Sequence, residues 1–275
     1  MPRLRHGYLT LGWEHDTLLI GQTWDLISPL FPTVNADTLM WNAGNLGDRR
    51  PQIRYTHAAK QDQGQWVLQG ALAATGAIDG QDLDADGVRD GDDAVLPNVQ
   101  VRIGYSGKTG SGNGKWGLGL SGHYGRQELR TPVAGEDRFE STSLSLDFMA
   151  ELTPRLSLQG ELWTGSNLGD FRGGIGQNLD TATGEEIDSS GGWVELGFKA
   201  SDLYSFYLGT TQDDPDDDFL GNGRPIKNGA SYLVNRFRLA PAFTIGLDYL
   251  RWKTEYKSFE EGVDNRLNLY FIYNL

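Results

Sequence analysis

The chain has 275 residues, and its 24 Lys and Arg stand against 37 Asp and Glu, a formal net charge of −13 that excludes a nucleic-acid binder, which needs clustered cations. Hydrophobic residues reach only 38%, and no apolar run approaches the ~18 residues of a membrane-spanning helix. Cysteine is absent, which removes disulfides, thiolate metal sites and Cys nucleophiles, while 37 Gly without a repeat and 8 Trp, 11 Tyr and 11 Phe fit neither collagen nor a disordered chain.

Met1-Pro2-Arg3-Leu4-Arg5 leads straight into a strand pattern in place of an apolar signal region. Alternation of period two then predicts thirteen strands, over 5–13, 17–24, 51–57, 64–75, 98–106, 116–124, 139–151, 155–165, 192–200, 203–211, 229–240, 243–249 and 267–275. The pattern is clearest from Trp116 to Tyr124, where Trp, Leu, Leu, Gly and Tyr share one face and Gly, Gly, Ser and His the other. No segment has convincing helical periodicity. The connections alternate. Short ones are 14–16, 58–63, 107–115, 152–154, 201–202 and 240–242; long ones are 25–50, 76–97, 125–138, 166–191, 212–228 and 255–263, rich in Gly, Asp and Asn.

Tight turns at one end, long loops at the other, strands of ~10 residues and aromatics near the strand ends are the signature of an outer-membrane barrel. The expected fold is all-β, one transmembrane antiparallel β-barrel domain over 1–275, because a bilayer forbids open strand edges. If 25–50 is external, the first strand starts outside and the last ends in the periplasm. An even-stranded barrel then needs an odd number of earlier strands, and about three would give about sixteen. The expectation is an N-terminally incomplete barrel; the alternative is a smaller barrel that closes on the strands present.

Gly21-Gln22-Thr23-Trp24-Asp25-Leu26, Ser28-Pro29-Leu30-Phe31 and the run Asn45-Leu46-Gly47-Asp48-Arg49-Arg50-Pro51-Gln52-Ile53-Arg54-Tyr55 resemble the DcaP-like trimeric porins of Gram-negative outer membranes. The likeness is concentrated in 5–57. It implies a sixteen-stranded barrel whose constriction loop follows strand five, which is 25–50 if three strands precede. It also implies a homotrimer and passive uptake of small, often anionic solutes. The N-terminal coiled coil of that family is not seen in this sequence.

Loop 25–50 carries Ile27, Leu30, Phe31, Val34, Leu39, Met40 and Trp41, too apolar to stay in water, so it is expected to fold inward and narrow the lumen. The candidate constriction residues are Asp25, Asp48, Arg49, Arg50, Arg54, Arg102, Arg236 and Arg238. Period two puts Arg54, Arg102, Arg236 and Arg238 on lumen faces. Guanidinium forks match carboxylate and phosphate, so such a lining selects anions. Alternatively, the arginines pair with lumenal Asp147, Glu161, Glu195 or Asp248 and only satisfy the interior.

The acidic external loop 76–97 contains Asp82, Asp84, Asp86, Val88, Asp90 and Asp93 at calcium-loop positions one, three, five, seven, nine and twelve, with Gly87 at six. Asp replaces the bidentate Glu at position twelve, so Ca2+ would be held weakly, as a structural ion. The run Asp213-Asp214-Pro215-Asp216-Asp217-Asp218 lacks that spacing and reads as a solvated tip facing lipopolysaccharide. Gly112 to Gly117 and Gly117 to Gly122 match G-x-G-x-x-G without a helix to open, and Ser121 with His123 is a weak catalytic pair, so no enzyme is expected. The favoured function is an outer-membrane diffusion porin for small anionic, carboxylate-type solutes, inserted among outer-membrane lipid and lipopolysaccharide. The alternatives are a soluble calcium-binding β-sandwich or lectin-like module and an exporter of an acidic polysaccharide.

Overall fold

A computed structural model describes residues 4–36, 38–108 and 114–274. Thirteen strands form one antiparallel sheet in which neighbours in sequence are neighbours in space. They are β1 (Gly7–Gly12), β2 (Asp16–Trp24), β3 (Arg49–Gln61), β4 (Gly64–Ala73), β5 (Asn98–Lys108), β6 (Lys115–Val133), β7 (Glu136–Glu151) and β8 (Leu156–Ser166), followed by β11 (Asp188–Lys199), β12 (Tyr204–Pro215), β13 (Pro225–Ala240), β14 (Phe243–Tyr256) and β15 (Phe259–Tyr273). A small hairpin of β9 (Leu179–Asp180) and β10 (Glu185–Glu186) sits apart in the connection after β8, and α1 (Asp90–Asp93) is a single turn after β4.

The sheet is curled. Asn228 of β13 donates to the Asn42 carbonyl at 2.7 Å. From Asn42 to the start of β3 at Arg49 the chain can reach at most about 25 Å. Across a flat sheet β3 and β13 would lie eight strand spacings apart, about 38 Å. Only a wall bent around the loop reconciles the two lengths. Among the described residues, β1 and β15 pair with no strand on their second sides, so these thirteen strands do not close on one another.

The two faces are inverted relative to a soluble protein. Outward, Ile53, Leu72, Val101, Leu120, Leu144, Leu162 and Leu208 are 46–55% exposed, a continuous apolar band on one side of the sheet. Inward, Gln52, Gln100, Ser121, Asp147, Glu161, Glu195 and Asp248 are buried. A sandwich would stack the leucine face into a dry interior, so the soluble alternative fails; this is the arrangement of a barrel facing lipid. Aromatic pairs ring the short-turn end, among them Trp66 with Tyr105 at 4.9 Å, Tyr105 with Trp116 at 5.3 Å, Phe198 with Phe206 at 5.4 Å and Tyr204 with Phe237 at 4.9 Å.

Two connections expected to be long are tight hairpins. β6 runs to Val133 and turns at Ala134 (φ 53°) and Gly135 (φ 92°), where positive φ closes the turn, and β14 turns into β15 at Ser258 (φ 63°). These extensions carry polar residues on both faces, so they lack apolar alternation and read as loop, although Leu129 and Phe139 are buried; cross-strand pairs such as Arg138 with Glu128 at 3.4 Å help hold them. Part of the turn expected over 107–115, including Gly112 of the glycine motif, lies outside the described residues, as do Met1, Pro2, Arg3 and Leu275. Gly117, Gly119 and Gly122 stand in β6.

Candidate pore constriction

The chain between β2 and β3 enters the curl and is stapled to its wall. Its apolar residues seat in two places: Ile27 and Leu46 against Trp163, Leu168 and Phe171, and Val34 and Met40 against Ala230, Tyr232, Val234 and Leu250. Its backbone is gripped by wall side chains. Gln100 of β5 accepts from Leu26 N at 2.7 Å, and Ser121 of β6 donates to the Ile27 carbonyl at 2.8 Å. Glu161 of β8 accepts from Ser28 Oγ and, at 2.7 Å, from Leu30 N. Glu195 of β11 accepts from Thr33 N at 2.8 Å and Thr33 Oγ1 at 2.5 Å, and Asp248 of β14 from Asn35 N at 2.8 Å. Trp163 Nε1 donates to the Gly44 carbonyl at 2.8 Å.

These carboxylates therefore do not serve mainly as partners for arginine. Of the four acidic wall residues singled out in the sequence, Asp147 alone forms an ion pair among the described residues, with Arg102 at 2.5 Å, while Glu161, Glu195 and Asp248 hold the loop. A carboxylate accepts several N–H bonds at once, and a loop that leaves its sheet partners has amides to satisfy.

Arg50 is placed differently from a solute-binding residue. Its side chain is fully buried, with Nε 2.7 Å from Asp25 Oδ1, Nη1 2.5 Å from Asp170 Oδ2, Nη2 2.6 Å from the Asp170 carbonyl, and the guanidinium carbon 4.1 Å from the Phe171 ring centroid. A guanidinium so enclosed offers no accessible donor to a solute, and Asp25, itself buried, is spent on it and on Gln100 Nε2 at 2.7 Å. Asp48 is likewise buried and pairs with Arg172 Nε at 3.0 Å and Arg49 Nε at 3.5 Å. Asp170 also accepts from Gly76 N, Ile78 N and Asp79 N at 2.9–3.0 Å, so one cluster ties the inner loop, the loop after β4 and the loop after β8 together. Burial and the neighbouring Asp170 raise the pKa of Asp79.

The other arginines remain nearer to water. Arg49 lies over the Trp24 ring, 4.3 Å from its centroid, and Trp24 meets Phe31 at 4.6 Å. Arg54 donates to the Trp24 carbonyl at 2.5 Å and to Gln52 Oε1 at 3.0 Å, and Arg236 to the Thr33 carbonyl at 2.8 Å; neither has a carboxylate partner among the described residues. The buried Nε of Arg236 has no acceptor. Arg236 and the exposed Arg238 line a cavity of about 840 Å³ on the short-turn side, with Ser157, Ser205, Tyr207 and Thr244.

No family model matches the sequence, and no curated protein does. Among solved structures the chain is similar to the outer membrane channel DcaP of Acinetobacter baumannii, with TM-score 0.77 and 14% identity over 97% of this chain and 73% of that one. The chain has the DcaP barrel fold. The NanC porin (TM-score 0.40, 10% identity, 95% of this chain and 100% of that one) and the CymD monoaromatic hydrocarbon channel (TM-score 0.37, 10% identity, 97% and 81%) are more distant likenesses.

In this DcaP-type barrel the loop after β4 brings oxygens of Asp82, Asp84 and Asp86 within 4.8 Å of one another. Asp90 lies buried beneath them and accepts from Leu83 N at 3.1 Å; burial, then Asp84, Asp79 and Asp82, push its pKa up to about 6. Asp93 pairs with Arg130 at 3.1 Å. In the second acidic run, Asp213 is not part of a solvated tip: it is buried on the inner face of β12 and accepts from Gly174 N at 3.1 Å, because the strand continues past it to Pro215. Ser121 and His123 do not meet. Ser121 serves Ile27, and His123 binds Ser143 at 2.6 Å and Ser141 at 2.9 Å under the Phe171 ring. Sequence reasoning missed Asp170 and Arg172. Both lie in the connection after β8, where no period marks a side chain as inward.

Proposed function

We propose that the chain forms a passive outer-membrane channel for small hydrophilic solutes bearing carboxylate or phosphate, with the inner loop as its constriction. The observation that carries the reading is the charge balance inside. The lumenal carboxylates are occupied by loop amides or by arginine, whereas Arg54 and Arg236 form no direct ion pair among the described residues, Asp25 and Asp248 acting on them only at longer range. An anion passing the loop exchanges part of its hydration for guanidinium bonds. Charge-assisted bonds of this kind are worth about 1.5–3 kcal/mol each, enough to favour entry and weak enough to permit exit. The acidic outer loops do not reverse this sign, because exposed charges are screened within about 8 Å at physiological salt. Arg236 and Arg238 continue the cationic lining into the cavity on the short-turn side.

Reversal potentials across a KCl gradient in planar bilayers test the reading. The native protein should prefer anions, and Arg54→Ala with Arg236→Ala should abolish that preference while leaving the channel open; an unaltered reversal potential would refute it. Trimeric assembly belongs to the same proposal and is read by native mass in detergent.

A further inference from the structure

The loop between β4 and β5 has more negative charge than the protein balances. Asp82, Asp84, Asp86, Asp90, Asp92 and Asp93 share it with Arg89, which pairs with Asp92 at 2.7 Å, and with Arg130 reaching in from β6. The oxygens of Asp82, Asp84 and Asp86 fit within 4.8 Å. That is the span of opposed ligands on one Ca2+ with bonds of about 2.4 Å. Gly87 takes φ 88°, the sharp turn a calcium loop makes at its sixth position.

A separate observation points to a missing cation. Asp93, whose side chain is only 10% exposed, keeps Oδ2 buried without a partner, and so does the fully buried Asp90. Both residues border the cluster, Asp90 through the amide of Leu83 and Asp93 through the Arg130 that it shares with Asp86. Arg130 holds Asp86 Oδ2 through Nε and Asp93 Oδ1 through Nη2, each at 3.1 Å, which sets those two carboxylates side by side. Asp90 Oδ1 takes the amide of Leu83, between Asp82 and Asp84. A buried carboxylate oxygen with no donor is costly, and a hard divalent ion is the partner that an all-oxygen set selects.

We propose that this loop binds one Ca2+ through Asp82, Asp84, Asp86, the Val88 carbonyl and Asp93, with Asp90 acting through a water molecule. Arg130 supplies the charge that keeps Asp86 and Asp93 together before the ion arrives. Asp93 reaches less far than the usual Glu, which places the affinity in the weak class of about 10⁻⁴–10⁻³ M. The bound ion also fixes the far end of a loop whose near end, at Gly76, Ile78 and Asp79, hangs on Asp170.

Chelator-treated protein in detergent is titrated with Ca2+ by calorimetry, and its melting temperature is followed in parallel. One saturable site per chain and a rise in melting temperature are expected. Asp84→Asn with Asp86→Asn should weaken binding at least about tenfold, and Asp93→Glu should strengthen it. Substituting Asp216, Asp217 and Asp218 with Asn should change neither. Heat-modifiable gel mobility establishes that each variant is folded. The proposal is overturned by the absence of saturable binding to folded native protein, by equal stabilisation from NaCl at matched ionic strength, or by loss of binding only in the Asp216–Asp218 variant.

Discussion

Arg50 and Arg54 lie four residues apart on the inner face of β3, yet their environments differ completely. Arg50 is enclosed by Asp25, Asp170 and Phe171, whereas Arg54 has a carbonyl and an amide oxygen for partners. Breaking a buried ion cluster from one side leaves uncompensated charge, so Arg50→Leu should cost about 3–5 kcal/mol. The urea midpoint in detergent should fall accordingly, and the loop after β2 should become sensitive to protease; an unshifted midpoint would show that the cluster carries no such weight. Alternation was enough to place Arg54 on the inner face, while Arg50 read as the end of the loop because β3 begins at Arg49, earlier than the pattern shows. It could not tell them apart, because Asp170 arrives from a connection more than a hundred residues away, whose fold depends on contacts that no local pattern records.

At the scale of elements, the inner loop shows how strand and connection divide their work. Wall residues Glu161, Glu195 and Asp248 stand at inward positions without a direct ion pair among the described residues, and the amides of Leu30, Thr33 and Asn35 donate to them. Glu195→Ala should leave Thr33 held only through its carbonyl by Arg236, raise single-channel conductance and increase current noise in planar bilayers. Thr33→Pro removes the same amide without touching wall charge and should act in the same direction; a rise confined to Glu195→Ala would attribute the effect to charge instead of to the tether. The apolar content of the loop was legible as a pressure to turn inward. The partners were not, since a carboxylate on a strand looks the same in sequence whether it meets an arginine or an amide. The hairpins at Gly135 and Ser258 were hidden for a related reason, as strands with polar residues on both faces carry no apolar alternation.

The barrel wall as a whole was the most legible feature, because lipid on one side and water on the other impose period two over the full membrane depth. Leu120 stands mid-strand between Ile103 and Leu146 on the lipid side. Leu120→Arg should therefore destabilise the folded barrel by about 2–4 kcal/mol, measured by urea unfolding from lipid vesicles. Little change would mean that this face does not meet hydrocarbon. The curl was less accessible, since it rests on loop-to-wall bonds, among them Asn42 with Asn228 and Asn35 with Asp248, that close distances only the assembled sheet defines.

The grip on the inner loop has a consequence for how such a filter can change. Amide hydrogens at Leu30, Thr33 and Asn35 are common to every amino acid except proline, so this part of the anchorage, unlike the packing of Ile27, Val34, Met40 and Leu46, is indifferent to which side chains the segment displays. Residues on the free side of the segment can then be exchanged with the anchorage intact, and a new solute preference can arise by substitution at the narrowing without rebuilding the wall around it.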